Sequence, residues 1–256
     1  MRRDDTPSLT ATAAWRAVHA AACAPYRAVP GFYRLIGMQW SWHWARGKLA
    51  HDPVFRGLLE RGDLPPRARV VDIGGGQGLI AALLHACEQV AERQGWPAAW
   101  GAAPSATAYT CIELMARDAR RGETALHGLH FGPRFVCADM RQAPLPPCDV
   151  VVILDVLHYV DHAAQDALLE RVRAALAPRG RLLLRVGDAA NLRGFAISQW
   201  VDRVVTAARG HKVAPSWGRP LAAWIARLEE LGFTVHSLPM SQGTPFANVL
   251  LVADLT

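Results

Sequence analysis

"VVDIGGGQG", residues 70–78, is the stretch from which the architecture of this chain can be worked out. A short run of β-branched and apolar residues that ends in glycines reads as a buried strand stopping at a tight turn. From Leu79 onward the apolar residues recur at helical spacing, so the loop leads from a strand into a helix. Asp72, Gly74, Gly76 and Gly78 spell D-x-G-x-G-x-G. Glycine lets the backbone turn sharply and lets a ligand approach without meeting a Cβ. The unpaired N–H groups at the start of the helix then suit a polar or anionic group.

Working outward, the first strand is expected over 68–75, followed by a helix over 77–94 and a turn-rich insertion around Trp96 and Trp100. Further strands are expected at 108–113, 134–139, 149–155, 181–187, 233–238 and 248–255. Helices fit 114–123, 163–176, 195–208 and 221–231. Strands alternating with helices imply a parallel sheet covered on both faces. Strands six and seven have no helix between them and must pair antiparallel. The fold class is therefore α/β, a Rossmann-like doubly wound sheet of seven strands, mostly parallel, with a terminal antiparallel hairpin. Before it, residues 1–10 read as a disordered tip and 11–64 as an N-terminal helical cap broken at Pro25, Pro30 and Pro53. Residues 65–256 form the ligand-binding domain, in which 187–220 reads as a lid insertion.

The glycine loop alone leaves two ligand classes open. Read as Gly76-Gln77-Gly78-Leu79-Ile80-Ala81, it satisfies the dinucleotide pattern G-x-G-x-x-A, which wants an acid about 20 positions on. The acid that ends the second strand is Glu113, well beyond that spacing. Asp72 can hold the loop's own amides or a ligand ammonium. Asp139 ends the third strand, placed to accept from an exocyclic adenine amine, with Met140 beside it to pack on the ring. Asp155 ends the fourth, followed by His158 and Tyr159 at the sheet's carboxyl edge, where ligands of open α/β sheets bind.

These signals in this order resemble the class I S-adenosylmethionine-dependent methyltransferases, across about residues 67–255. The resemblance implies S-adenosylmethionine as cofactor and S-adenosylhomocysteine as product. It assigns the methionine part to Asp72, Gly74, Gly76 and Gly78. Glu113, with Leu114 beside it, would hold the ribose hydroxyls, Asp139 the adenine N6 and Met140 the ring face. Asp155 joins the cofactor-binding candidates. The long interval from Gly78 to Glu113 departs from the family pattern and leaves the Trp96/Trp100 insertion without a role.

Methyl transfer needs an aligned acceptor and excluded water. A hydroxyl acceptor also needs a base, a task that imidazole chemistry suits, so His158 is the first candidate, with Tyr159 beside it to orient the acceptor. His43 competes. In "GMQWSWHWARGKL", residues 37–49, helical spacing places Gln39, Trp40, His43 and Trp44 on one apolar face with Phe32, Leu35 and Ile36. That face is expected to be an acceptor wall, with Trp42 pointing elsewhere. Trp200 and Arg203 are the matching candidates in the lid. Without a C-x-x-C pair, no metal is expected.

Composition narrows the class. Apolar residues make up 51% and charged ones 20% of 256 residues, which is globular rather than disordered. No run approaches the roughly 20 apolar residues of a membrane span, and "MRRDDTPSLT" reads as no signal peptide, so a cytoplasmic chain with buried free thiols at its five cysteines is expected. The net charge of +6 comes from scattered arginines rather than a nucleic-acid motif. Residues 44–78 also resemble, less specifically, methyltransferases of bacterial aryl-polyene or xanthomonadin-type pigment clusters. That implies an aromatic acceptor, free or carried on an acyl carrier protein. Another small phenolic or quinone-like acceptor, an NAD(P)-dependent reductase and a catalytically silent cofactor-binding subunit stay open, as does monomer against homodimer.

Overall fold

A computed structural model describes residues 9–30, 39–189, 217–240 and 248–256. Among these, seven strands form one sheet in the order β3-β2-β1-β4-β5-β7-β6. They are β1 (Ala68–Ile73), β2 (Ala106–Glu113), β3 (Arg134–Cys137), β4 (Cys148–Leu154), β5 (Leu176–Gly187), β6 (Phe233–Pro239) and β7 (Asn248–Leu255). β2 and β3 pair parallel, as do β4 and β5. β7 runs antiparallel to both β5 and β6. This is the expected α/β sheet with its terminal hairpin. Helices are α1 (Ala11–Cys23), α2 (Trp40–His51), α3 (Pro53–Glu60), α4 (Leu79–Gln94), α5 (Ala116–Leu126), α6 (His162–Ala175) and α7 (Leu221–Glu230). The expected helix over 195–208, with Trp200 and Arg203, lies outside the described residues, as do Phe32, Leu35 and Ile36.

The chain divides into two compact units. The first, residues 1–70 and 75–137, contains the N-terminal helices, α4, β2, α5 and β3. Here α4 is buried almost all round, from Leu79 and Ile80 through Ala86, Cys87 and Val90, as a helix covered on two sides must be. One of those sides is α1, which packs on α4 with Ala14, Val18 and Ala22 buried. Small side chains let two helices approach closely. α2 in turn packs on α1. The N-terminal helices are thus built into the unit that carries most of the glycine loop. The Trp96/Trp100 insertion gains a structural role in the same unit. The two rings meet edge to face at 5.3 Å, and Trp100 is buried in a short 3-10 turn that packs against α3.

The second unit, residues 71–74 and 138–256, holds β4, β5, β6, β7, α6 and α7. Its core is the apolar run of β4 with Leu182, Leu183 and Leu184 of β5 and Leu250 and Leu251 of β7. Four cysteines are buried, but Cys137 is exposed, which corrects the expectation of five buried thiols. It closes β3, the strand at one edge of the sheet among the described residues. No described helix is long and apolar enough to cross a membrane.

Candidate functional site

In the first unit, the glycine loop opens α4 with Gly78 as the capping residue at φ 76°. A Cβ there would lie 2.7 Å from Cζ of Phe135, so both the left-handed backbone and the packing demand glycine. Gly76, at φ 58°, differs. Among the described residues a Cβ on it would meet only the Trp44 ring, at 3.9 Å, so there the ground above Gly76 is open with Trp44 at its border.

Glu113 ends β2 with its carboxylate turned onto this loop. Its Oε2 accepts from the Gly76 N–H at 2.9 Å, and its Oε1 accepts from the Met115 N–H at 2.8 Å. Burial pushes its pKa above the ordinary carboxylate range, and the backbone N–H groups of Met115 and Gly76 pull against that. The Leu114 N–H adds a third backbone contact, which leaves the carboxylate one acceptor position. Leu114, the next residue, is exposed. A further group, absent from the sequence reading, holds the loop from the other side. The fully buried Tyr26 donates its hydroxyl to the Gln77 carbonyl at 2.8 Å. A tyrosine between two helix-breaking prolines gave no periodic signal by which to find it.

The acceptor wall needs correction. On α2 the buried residues are Ser41, Ala45 and Leu49. Gln39, Trp40 and His43 are exposed and Trp44 is half-buried. The helix begins only at Trp40, with Gln39 as its cap, and approaches its neighbours through small residues. That leaves the bulky rings on the other side. His43 rests edge-on against Trp42 at 4.7 Å, and Trp42 in turn lies under the Arg27 guanidinium at 4.5 Å.

In the second unit, Asp72 is buried near the end of β1, and Gly74 faces Val156. Asp139 is held by Arg141, whose Nε donates to Oδ2 at 2.9 Å and whose Nη2 does so at 2.5 Å. The guanidinium keeps the Asp139 carboxyl below its usual range. Met140 is half-buried, and its carbonyl accepts from Arg171, which also binds the carbonyls of Arg141 and Ala143. Asp155, at φ 60°, pairs through both oxygens with Arg185, so its carboxylate is engaged inside the protein. Arg185 is buried in β5. An arginine inside the apolar run "RLLLRVG" was the available signal for this pair.

His158 and Tyr159 form a half-buried turn after β4, their ring centroids 4.2 Å apart. The fully buried Gln165 holds that turn with one amide nitrogen, 3.2 Å from the Leu157 carbonyl, 3.0 Å from that of Val160 and 2.8 Å from that of Trp217. The Trp217 N–H donates to the His158 carbonyl at 2.8 Å. His158 and His162 have H-x-x-x-H spacing, yet His162 is already the first residue of α6, bonded to the Gly218 carbonyl at 3.3 Å. The two therefore share no helix face.

Comparison with known proteins adds three findings. The family described as "Methyltransferase domain" matches residues 41–238. Mouse (Mus musculus) acetylserotonin O-methyltransferase is 29% identical over 159 residues, covering 58% of this chain and 33% of its own length. The chain thus spans about a third of that relative. Among solved structures, the mitomycin 7-O-methyltransferase MmcR aligns with a TM-score of 0.55 at 21% identity, covering 95% of this chain and 67% of its own. Magnesium protoporphyrin IX methyltransferase from Synechocystis PCC 6803, solved with bound SAH, aligns at 0.56 and 17% identity, covering 96% and 100%.

Proposed function

The chain belongs to the methyltransferase domain family, and from that premise we propose that it transfers a methyl group from S-adenosylmethionine to the hydroxyl of a small aromatic acceptor. The observation that carries the cofactor assignment is the Glu113 carboxylate, ending β2 with one oxygen on the Gly76 N–H and the other on the Met115 N–H. Buried, ionisable and with an acceptor position to spare beside its backbone contacts, it suits a ribose hydroxyl. The donor set fits the group in a second way. Gly76 leaves open ground that a side chain would fill, and the N–H groups at the start of α4 follow directly. Asp72 and Gly74 are assigned to the methionine part. Asp139 and Met140 are assigned to adenine, and Asp139 would have to give up part of its Arg141 contact to accept from the ligand. Asp155 pairs through both oxygens with Arg185 and is less favoured as a ligand contact.

The cofactor, when bound, supplies an electrophilic methyl and departs as a neutral thioether. The chain's residues must orient the acceptor, exclude water and take up its proton. His158 is assigned that proton: the phenolic O–H bond breaks toward a neutral imidazole nitrogen as the oxygen gains the methyl. Gln165, through the carbonyls of Leu157 and Val160, holds the turn that carries His158 and Tyr159 in place. Trp44, bordering Gly76, is the aromatic surface best supported as acceptor wall, while the exposed Trp40 and His43 are less favoured. The mouse relative and MmcR, both named for O-methyl transfer, support oxygen as the receiving atom. The finer reading, an aryl head group borne on an acyl carrier protein, is supported by the sequence resemblance and the positive charge.

The test is incubation with methyl-labelled cofactor and a panel of phenols, offered free and as carrier thioesters, read by mass spectrometry. One labelled methyl on a phenolic oxygen is expected. His158→Ala should lower kcat by about 10²-fold with S-adenosylhomocysteine affinity unchanged. A chain that binds the cofactor product yet methylates no phenol in either form overturns the acceptor reading.

A further inference from the structure

We propose that His85, Glu88 and His130 form a binding site for a divalent transition metal, Zn2+ by ligand chemistry, that clips the turn after α5 onto α4. His85 and Glu88 are three residues apart on α4, so their side chains share one helix face. His130 stands in the turn between α5 and β3. One ligand atom from each of the three lies within 4.8 Å of the other two. A tetrahedral zinc site with bonds of about 2.1 Å sets ligand atoms roughly 3.4 Å apart. The cluster therefore has to close by about an ångström, and the turn bearing the exposed His130 can supply that movement. Two of the three side chains already meet, His130 Nε2 lying 3.3 Å from Glu88 Oε2.

His85 has the features of a ligand held ready. One ring nitrogen is 3.0 Å from the Gln89 carboxamide, and the other is buried with no hydrogen-bond partner among the described residues. A buried ring nitrogen left unpaired is costly. With a metal on Nδ1 and the Gln89 carboxamide turned so that its oxygen accepts from Nε2–H, both nitrogens are satisfied and the ring orientation is fixed. Two imidazoles and one carboxylate are a borderline donor set, suited to Zn2+ over Mg2+ or Ca2+, with water completing the shell. Nothing in this site depends on the methyl-transfer reading.

Zn2+ is titrated into the metal-stripped chain in competition with a chromophoric chelator, and thermal unfolding is followed with and without it. The parent is expected to take up one Zn2+ and to melt at a higher temperature with it. His130→Ala and Glu88→Gln, both surface changes that leave the core intact, should each weaken binding roughly tenfold or more, while S-adenosylhomocysteine affinity stays the same. No saturable uptake by the parent overturns the proposal, and so does uptake by both variants with the parent's affinity.

Discussion

Glu113 shows how one side chain ties the loop chemistry to pH. Burial raises its proton affinity, the negative Asp118 adds to that, and the backbone N–H groups of Met115, Gly76 and Leu114 oppose it. A ribose diol donates to the ionised carboxylate, so acidification must weaken cofactor binding at a pH above the usual carboxylate range. Calorimetry of S-adenosylhomocysteine against pH should show affinity falling as pH drops, and Glu113→Gln, which cannot titrate, should flatten the profile. A parent profile that is already flat contradicts the assignment. For stability the sign is opposite. A raised pKa favours the folded chain below the unfolded value, and that contribution is lost as pH rises through the folded one. At this scale the strand-end acids Asp72, Glu113, Asp139 and Asp155 were all visible in the sequence. What it could not show is which carboxylates the protein itself engages. Arg141 reaches Asp139 from two residues on, whereas Arg185 meets Asp155 only because folding brings β4 and β5 side by side, and no spacing rule reports that.

Among elements, the connection between the N-terminal helices and the glycine loop matters most. Tyr26, in the 3-10 turn after α1, donates to the Gln77 carbonyl, and Trp44 of α2 borders Gly76. Both contacts lie within one compact unit, so these helices are part of the support of the cofactor loop. Tyr26→Phe removes one buried hydrogen bond and leaves a carbonyl unpaired. It should cost about 1–2 kcal/mol in urea unfolding and weaken S-adenosylhomocysteine binding several-fold. Unchanged affinity would mean that the tyrosine serves packing alone. Strands were the most legible elements, because apolar runs bounded by turn residues mark them well, and β7 matches the expectation residue for residue. The face of α2 was not legible. Periodicity ranks bulky apolar residues as core, whereas this helix packs through Ser41, Ala45 and Leu49 and leaves its tryptophans nearer the surface.

For the whole molecule, the sheet order and the terminal hairpin fix the fold, and the match over residues 41–238 fixes the family. The central claim is that a chain of this family binds S-adenosylmethionine through the loop at residues 72–78. The dinucleotide pattern that begins at Gly76 remains the alternative to beat. Calorimetric titration with S-adenosylhomocysteine and, separately, with NADPH is the most direct measurement. Saturable one-to-one binding of S-adenosylhomocysteine with none of NADPH is the predicted result; binding of NADPH with no binding of S-adenosylhomocysteine would contradict it.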